Sequence, residues 1–306
     1  MSPIKITMAG YQPPASVHNR AAEVFGRELL AQTGDAVTFE FDGNLVRSKG
    51  CRAVDLPVMT ERGELSLCYF ASSYLTEQVP ELAIFDVPFV VRDRNQAYAA
   101  LDGALGELLA DRFLANTGLR VLAFWDNGFR HFSNGVHSLR TPADCQGLSI
   151  RSMNSALHQE FFRQLGFEPT FVDVRDLVEA ARSGRIDAQE NPLTNTYNFG
   201  THRYHRYITL SAHLFGVVVL LCHNASYQAW PETLRVAVRK AAEQATQVQR
   251  QLAAAEDEEV LAQLDPAENE VAHLTDAERA GFLAAVAPML AKQREVLGSA
   301  LFELVE

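Results

Sequence analysis

The sequence predicts an α/β protein made of two similar lobes, and three observations carry that prediction. Residues Cys145 to Asn195 read strand, helix, strand, helix, strand, the alternation that builds a parallel sheet with right-handed crossovers. Residues Ile4 to Phe70 follow the same order. From Pro231 to Leu264 there is neither glycine nor a further proline, and an apolar seam at Leu234, Val238, Ala241, Ala245, Val248 and Leu252 predicts one helix. At 1.5 Å per residue it would run on the order of 50 Å, longer than a small domain is wide, so it has to lie across both lobes. Two helices broken near Asp257 are the other reading of that stretch.

In chain order, Ile4 to Ala9 is the first strand, and Gly10-Tyr11-Gln12-Pro13-Pro14 turns it into a loop. A helix follows over residues 20–32, with Ala22, Phe25 and Leu29 on one face and Gly34 closing it. Val37 to Phe41 alternates as a strand does. Val54 to Arg62 is helical, since Pro57 falls in its first turn, and Leu65 to Phe70 is the third strand. The proline-punctuated run Pro80 to Phe89 suits a segment packed between elements. Asn95 to Asn116 is an amphipathic helix, and Leu119 to Trp125 a strand able to cross into the second lobe.

There, Leu148 to Ile150 is a strand that ends in Arg151. Asn154 starts a helix with Leu157, Phe161, Phe162 and Leu165 on its apolar side, and Gly166 stops it. Phe167 to Val172, Asp176 to Ser183 and Ile186 to Gln189 complete the unit, with Glu190, Asn191 and Pro192 directly after the last strand. Ile208 to Ala212 and Phe215 to Cys222 are strands returning to the first lobe, and a last helix, Asp276 to Leu304, is interrupted at Pro288. The lobes are therefore expected at residues 1–126 plus 216–256 and at 127–215 plus 257–306. A short internal repeat supports the pairing: Asp55-Leu56 before Gly63-Glu64-Leu65-Ser66 has the spacing of Asp176-Leu177 before Gly184-Arg185-Ile186-Asp187.

Composition narrows the function. Net charge is −11 and the 27 basic residues form no runs, which argues against a nucleic-acid partner. The longest apolar run, Leu214 to Cys222, is far short of the roughly 20 residues that span a bilayer, so no membrane insertion is expected. Cys51, Cys68, Cys145 and Cys222 lack C-x-x-C spacing, so no metal site is expected. Cys68 and Cys222 lie in apolar runs like buried free thiols. No cofactor motif is present: neither a phosphate-cradling glycine loop nor G-x-S-x-G nor H-E-x-x-H occurs. Arg151 and Asn191 sit where strands of the second lobe run out, the edge at which open α/β sheets bind ligands.

Assembled in order, Phe85-Asp86-Val87-Pro88-Phe89, Trp125-Asp126-Asn127-Gly128-Phe129-Arg130, Gly147-Leu148-Ser149-Ile150-Arg151 and Asp187-Ala188-Gln189-Glu190-Asn191-Pro192-Leu193, with the long helix after Pro231, resemble one family. It is that of the solute-binding proteins of tripartite ATP-independent periplasmic (TRAP) transporters, typified by C4-dicarboxylate (DctP-like) binders. The resemblance implies a two-lobed, type II-like periplasmic-binding-protein clamshell with a ligand in the cleft. It also implies a periplasmic monomer whose signal peptide has been removed, and hand-off to a membrane permease. It further implies that Arg151 pairs with a ligand carboxylate, helped by Arg130 and Asn191. A planar guanidinium offers two parallel donors to a carboxylate, which fixes orientation as well as charge. The alternative for Arg151 is a structural ion pair with Asp187 or Glu190, and Asn191 could simply start the turn at Pro192.

From the first lobe the expected lining is Gln12, Tyr69, Phe70 and Ser72, with Trp125 beside them. Many relatives carry a polar or acidic residue after the third strand, where this chain has Ala71, and the aromatic before the second lobe's second helix is replaced by Val174. A less polar lining suits a less polar ligand, so the expectation is a monocarboxylate or 2-oxo acid with an apolar or aromatic tail. A C4-dicarboxylate or uronate is the alternative, and a ligand sensor partnering a signalling receptor is the rival of another class. Catalysis is not expected, because His202, His205 and His213 lack the spacing of a helical metal pair and no nucleophile motif accompanies Glu190.

Overall fold

A computed structural model describes residues 2–306. Its strands are β1 (Ile4–Ala9), β2 (Val37–Asp42), β3 (Leu67–Ala71), β4 (Leu119–Asn134), β5 (Ser149–Ser152), β6 (Glu168–Phe171), β7 (Ala188–Pro192), β8 (Tyr207–His223) and β9 (Glu270–His273). The chain divides into two compact units, Met1–Val79 with Gly106–Asn127 and Val217–Ala255, and Pro80–Leu105 with Gly128–Gly216 and Glu256–Glu306.

Both units have the same strand plan. In the first, β1 runs parallel between β2 and β3, and β3 pairs antiparallel with β8. In the second, β5 runs parallel between β6 and β7, and β7 pairs antiparallel with β4. The antiparallel strand of each unit enters from residues of the other, since β4 begins among first-unit residues and β8 among second-unit ones.

Sequence chemistry explains the elements. The helix Val17–Thr33 begins at Ser16, whose hydroxyl accepts the Asn19 N–H, and it buries Ala21, Ala22, Phe25 and Leu29 against Ile6, Met8 and Tyr69. The helix Ala156–Leu165 is capped by Ser155 and stopped by left-handed Gly166 at φ 94°. Its Phe161, Phe162 and Leu165 join Phe132, Ile150, Ala188 and Phe282 in the core of the second unit. The long helix is unbroken over the 32 residues Glu232–Gln263 and continues through Asp257. Leu234 to Ala245 pack in the first unit, and Val260 and Leu264 pack on Leu193 and Ile208 in the second. Among the described residues no helix is long and apolar enough to cross a membrane.

Several elements differ from expectation. Residues 80–105 belong to the second unit, because the Phe89 N–H bonds the His213 carbonyl at 2.8 Å and Leu82, Ile84 and Phe85 are buried. Gly103, a poor helix former, splits the 95–116 helix into Arg94–Asp102 and Ala104–Thr117. The two strands expected around Ala212 are one, β8, with Ala212 at φ 45°. Pro288 lies inside the helix Asp276–Leu297, which ends at Gly298 instead. Finally β7 reaches Pro192, so Glu190 and Asn191 lie within the sheet, paired with Phe132 and His131.

Buried imidazoles tie this fold to pH. Burial pushes His131 down to about 3, reinforced by His213, Arg94, Arg279 and Arg130, and its Nδ1 accepts the Ala212 N–H at 3.0 Å. Burial also lowers His205 to about 4, against the charge of Asp187 and the backbone of Ser133. It lowers His18 to about 4 as well, where the Asp126 backbone offsets part of the effect without a hydrogen bond of normal geometry. Each folded pKa lies below the unfolded value, so the unfolded chain binds more protons in acid. Stability is then full above about pH 6.5 and is lost as pH falls toward 4. Urea unfolding should show a plateau above pH 7 and a loss of at least ~2 kcal/mol by pH 5; a flat profile from pH 5 to 7 would contradict neutral burial of these rings.

Candidate functional site

Arg151 is the third residue of the four-residue strand β5. Its neighbour Ile150 enters the apolar core, so strand alternation turns Arg151 to the opposite face. The strand is pinned beside it, since Asp187 Oδ2 accepts both the Ser149 N–H at 2.8 Å and the Ser149 hydroxyl at 2.6 Å. Arg151 is 2% exposed, and its Nε donates to the Val172 carbonyl at 2.9 Å. Among the described residues no carboxylate pairs with it. Asp187 is committed to Ser149 and Glu190 to another arginine, so neither structural ion pair considered for Arg151 is formed. A buried cation without a counter-ion is costly, and it becomes favourable when an anion joins it.

Arg130 is held differently. Its Nε pairs with Glu190 Oε2, and its Nη2 donates to Glu190 Oε1 at 2.7 Å and to the Glu190 carbonyl at 3.0 Å. Glu190 is fully buried on the core face of β7, opposite Phe132. His213 Nε2 lies 3.5 Å from Oε2, and His158 Nδ1 lies 3.9 Å from Oε1. His158 Nε2 lies in turn 3.0 Å from Asp86 Oδ1. Burial alone would raise the Glu190 carboxyl. The Arg130 charge, with hydrogen bonds from His213 and Arg130, outweighs it and holds the group well below the usual carboxylate range. Burial pushes His213 down to about 4, with Glu190 opposing, and its ring stacks on Phe132 at 4.2 Å. This is a preformed internal ion pair with a polar shell.

Asn191 joins the two faces of the strand end. Its Oδ1 accepts from Arg130 Nη2 at 3.3 Å and its Nδ2 donates to Gln189 Oε1 at 2.5 Å. Gln189 Nε2 reaches Ser133 at 2.6 Å and Thr196 at 3.1 Å, and Ser133 meets His205 Nδ1 at 3.1 Å. The chain of bonds sets the Asn191 amide in one orientation, which goes beyond a turn-starting role.

In the first unit, Tyr69 is fully buried and its hydroxyl donates to Asn19 Oδ1 at 2.7 Å while accepting the Gln12 N–H at 3.3 Å. Its ring lies 5.9 Å from Trp125 and 5.5 Å from His18, and Trp125 Nε1 donates to Thr246 at 3.1 Å. Phe70 faces the other way along β3 and meets Tyr11 and Tyr74 at 5.3 and 5.4 Å. Ser72 and Gln12 are 1% and 2% exposed. Asp126 is fixed through its backbone, which exchanges bonds of 2.8 and 2.5 Å with Gln249 of the long helix. The structure thus brings Gln12, Tyr69 and Trp125 together in one unit, and Arg130 and Asn191 in the other.

Sequence reasoning did not find His18 or the Asp86, His158 and His213 shell around Glu190. A partial signal exists for the shell: a glutamate continuing an apolar strand has to be neutralised, and Arg130 next to His131 in the partner strand is the available cation.

A family model described as bacterial extracellular solute-binding protein, family 7 (DctP), matches residues 8–295. A solute-binding protein of Verminephrobacter eiseniae is 28% identical over 285 residues, covering 93% of this chain and 83% of that protein. A TRAP periplasmic solute binding protein from Bordetella bronchispeptica, with density assigned as pantoate, is 27% identical with a TM-score of 0.91 over 99% of this chain and 98% of that one. Another, from Sulfurospirillum deleyianum with bound succinate, is 25% identical with a TM-score of 0.91 over 100% of this chain and 99% of that one. Matched from β1 to the last long helix, this chain belongs to the DctP family of bacterial extracellular solute-binding proteins, the solute-binding components of TRAP transporters.

Proposed function

We propose that this protein captures a small organic acid in the periplasm, by a salt bridge between the acid's carboxylate and Arg151, and delivers it to the permease of a TRAP transporter. The observation that carries the reading is the buried Arg151 guanidinium, which has no carboxylate partner among the described residues. Its two Nη groups match a carboxylate bidentately, and the pair gains strength where water is excluded. The related proteins with bound succinate and pantoate support an acid as the solute.

Charge counting favours a monocarboxylate. Arg130 carries the second guanidinium of the region, and Glu190 already neutralises it through both carboxylate oxygens. A second carboxylate on the solute would compete with Glu190 for that cation. Asn191, oriented by Gln189, has one amide N–H left to offer the bound acid.

Two variants test this reading. Arg151→Ala should weaken binding of the cognate acid by about 2–5 kcal/mol, at least roughly 30-fold, in isothermal titration; affinity within a few-fold of the parent would refute the salt bridge. Glu190→Gln should instead act on the fold, lowering the unfolding free energy by roughly 3–5 kcal/mol because it leaves a buried guanidinium uncompensated. Unchanged stability in that variant, measured by urea titration, would mean that Arg130 is not a structural pair.

A further inference from the structure

A cavity of about 480 Å³ opens on the second unit, lined only by residues of its 88–96 and 290–306 segments. Its size falls in the range of roughly 300–1,000 Å³ that holds small molecules. None of its lining residues belongs to the surroundings of Arg151 or to the Arg130 and Glu190 shell.

The walls are apolar. Phe89 and Val90 come from the segment after Pro88, Leu290 and Ala291 from the helix Asp276–Leu297, and Phe302 from the helix Ser299–Glu303. Phe89 adopts φ 61°, in the left-handed region that bulky residues avoid. Such a conformation persists only where the surroundings impose it. Here the Phe89 N–H donates to the His213 carbonyl at 2.8 Å, and the Arg279 guanidinium lies 5.2 Å from the ring. The segment is thus held as one wall of the cavity.

The rim carries Arg92, Arg294 and Glu306, and one of these charges is uncompensated. Arg294 pairs with Glu306, and its guanidinium also lies 4.3 Å over the Phe302 ring. Arg92 is held differently: its backbone N–H and its Nε both reach Gln96 Oε1, at 2.7 and 3.4 Å. Gln96 is itself saturated, since its Nε2 donates to the Val305 carbonyl at 2.7 Å and to the Val90 carbonyl at 3.5 Å. No carboxylate among the described residues pairs with Arg92, whose guanidinium is anchored through Nε alone.

An apolar interior with one net positive charge at its mouth selects a chemistry. A cation would meet two arginines, and a dianion would bring a second charge against apolar walls. A monoanion with an apolar body suits both parts: a guanidinium takes its carboxylate through two parallel donors, and the walls take its hydrocarbon.

We propose that this cavity binds a monocarboxylate with an apolar body of about eight to twelve carbons, its acid group on Arg92 and its chain against Phe89, Leu290 and Phe302. The site is independent of the salt bridge at Arg151.

The test is isothermal titration of the full chain carrying Arg151→Ala, which removes acid binding at that arginine. The probes are hexanoate, octanoate and decanoate below their micelle-forming concentrations, with octan-1-ol and octylammonium as uncharged and cationic counterparts. Affinity for the acids should rise about threefold to fourfold per added methylene. Octanoate should bind at least about fivefold tighter than octylammonium. Adding Arg92→Ala should weaken octanoate about fivefold and leave octan-1-ol unchanged. Ala291→Trp, which fills the cavity from an exposed helix position, should abolish binding of all three acids. If Ala291→Trp fails to fold, the exposed Arg92→Ala variant decides, and if Arg151→Ala fails to fold, the same comparison is made in the parent protein. Octanoate binding that Arg92→Ala leaves unchanged, or octylammonium binding as tightly as octanoate, would overturn the proposal. So would acids that bind the parent protein but not the Arg151→Ala variant, since they would then occupy Arg151. No binding of any acid to either protein would overturn the cavity site and leave the Arg151 reading to its own test.

Discussion

A guanidinium buried without a counter-ion is the constraint around which the second unit is built. Arg151 cannot leave its position, because the strand that carries it is held by Asp187 on one side and by the Ile150 core on the other. Its Nε is spent on the Val172 carbonyl, which fixes the plane of the fork. A buried cation of this kind is costly while it lacks an anion.

The second arginine shows the contrast. Arg130 is as buried as Arg151, yet Glu190 meets it with both oxygens, and His213, His158 and Asp86 close the shell. The difference follows from strand alternation. Arg130, Phe132 and Glu190 share the face that looks into the core, where an unpaired charge would be intolerable, whereas Ile150 takes that face on β5 and sends Arg151 to the other. Two buried arginines, on strands separated by β7, thus differ in their pairing, one neutralised by Glu190 and the other without a carboxylate partner among the described residues.

The same strand plan in each unit gives each a different polar character. In the first, β3 runs Leu67-Cys68-Tyr69-Phe70-Ala71 and places aromatic rings where β7 of the second places Gln189, Glu190 and Asn191. The corresponding strands therefore differ in chemistry, aromatic in the first unit and polar or charged in the second. Cys68 and Cys222, buried in the paired strands β3 and β8, remain free thiols, and burial pushes both up to about 12, which keeps them protonated and inert.

Much of this was legible in the chain. Glycines at 34 and 166 and the periodic apolar runs determine the helices and the parallel strands, because these signals act between residues close in sequence, whereas the caps at Ser16 and Ser155 lie outside the helix starts read from periodicity. Arg151 was legible for the same reason, as a cation directly continuing an apolar strand. Gly103 dividing a helix, Pro288 failing to, and Ala212 bending within a single strand depended on packing that sequence periodicity does not record. So did the fate of Arg130: its partner Glu190 is 60 residues away and meets it only because β4 and β7 pair in one register. His18 and Asn127 gave no sequence signal, since an unpaired polar atom can be recognised only once every neighbour that could have bonded it is in place. The sequence by itself thus determined most of the strand and helix plan and the place of Arg151 on a strand of the second unit. Tertiary structure alone decided which charges are neutralised and which buried polar atoms are paired, because both depend on contacts made by residues far apart in the chain.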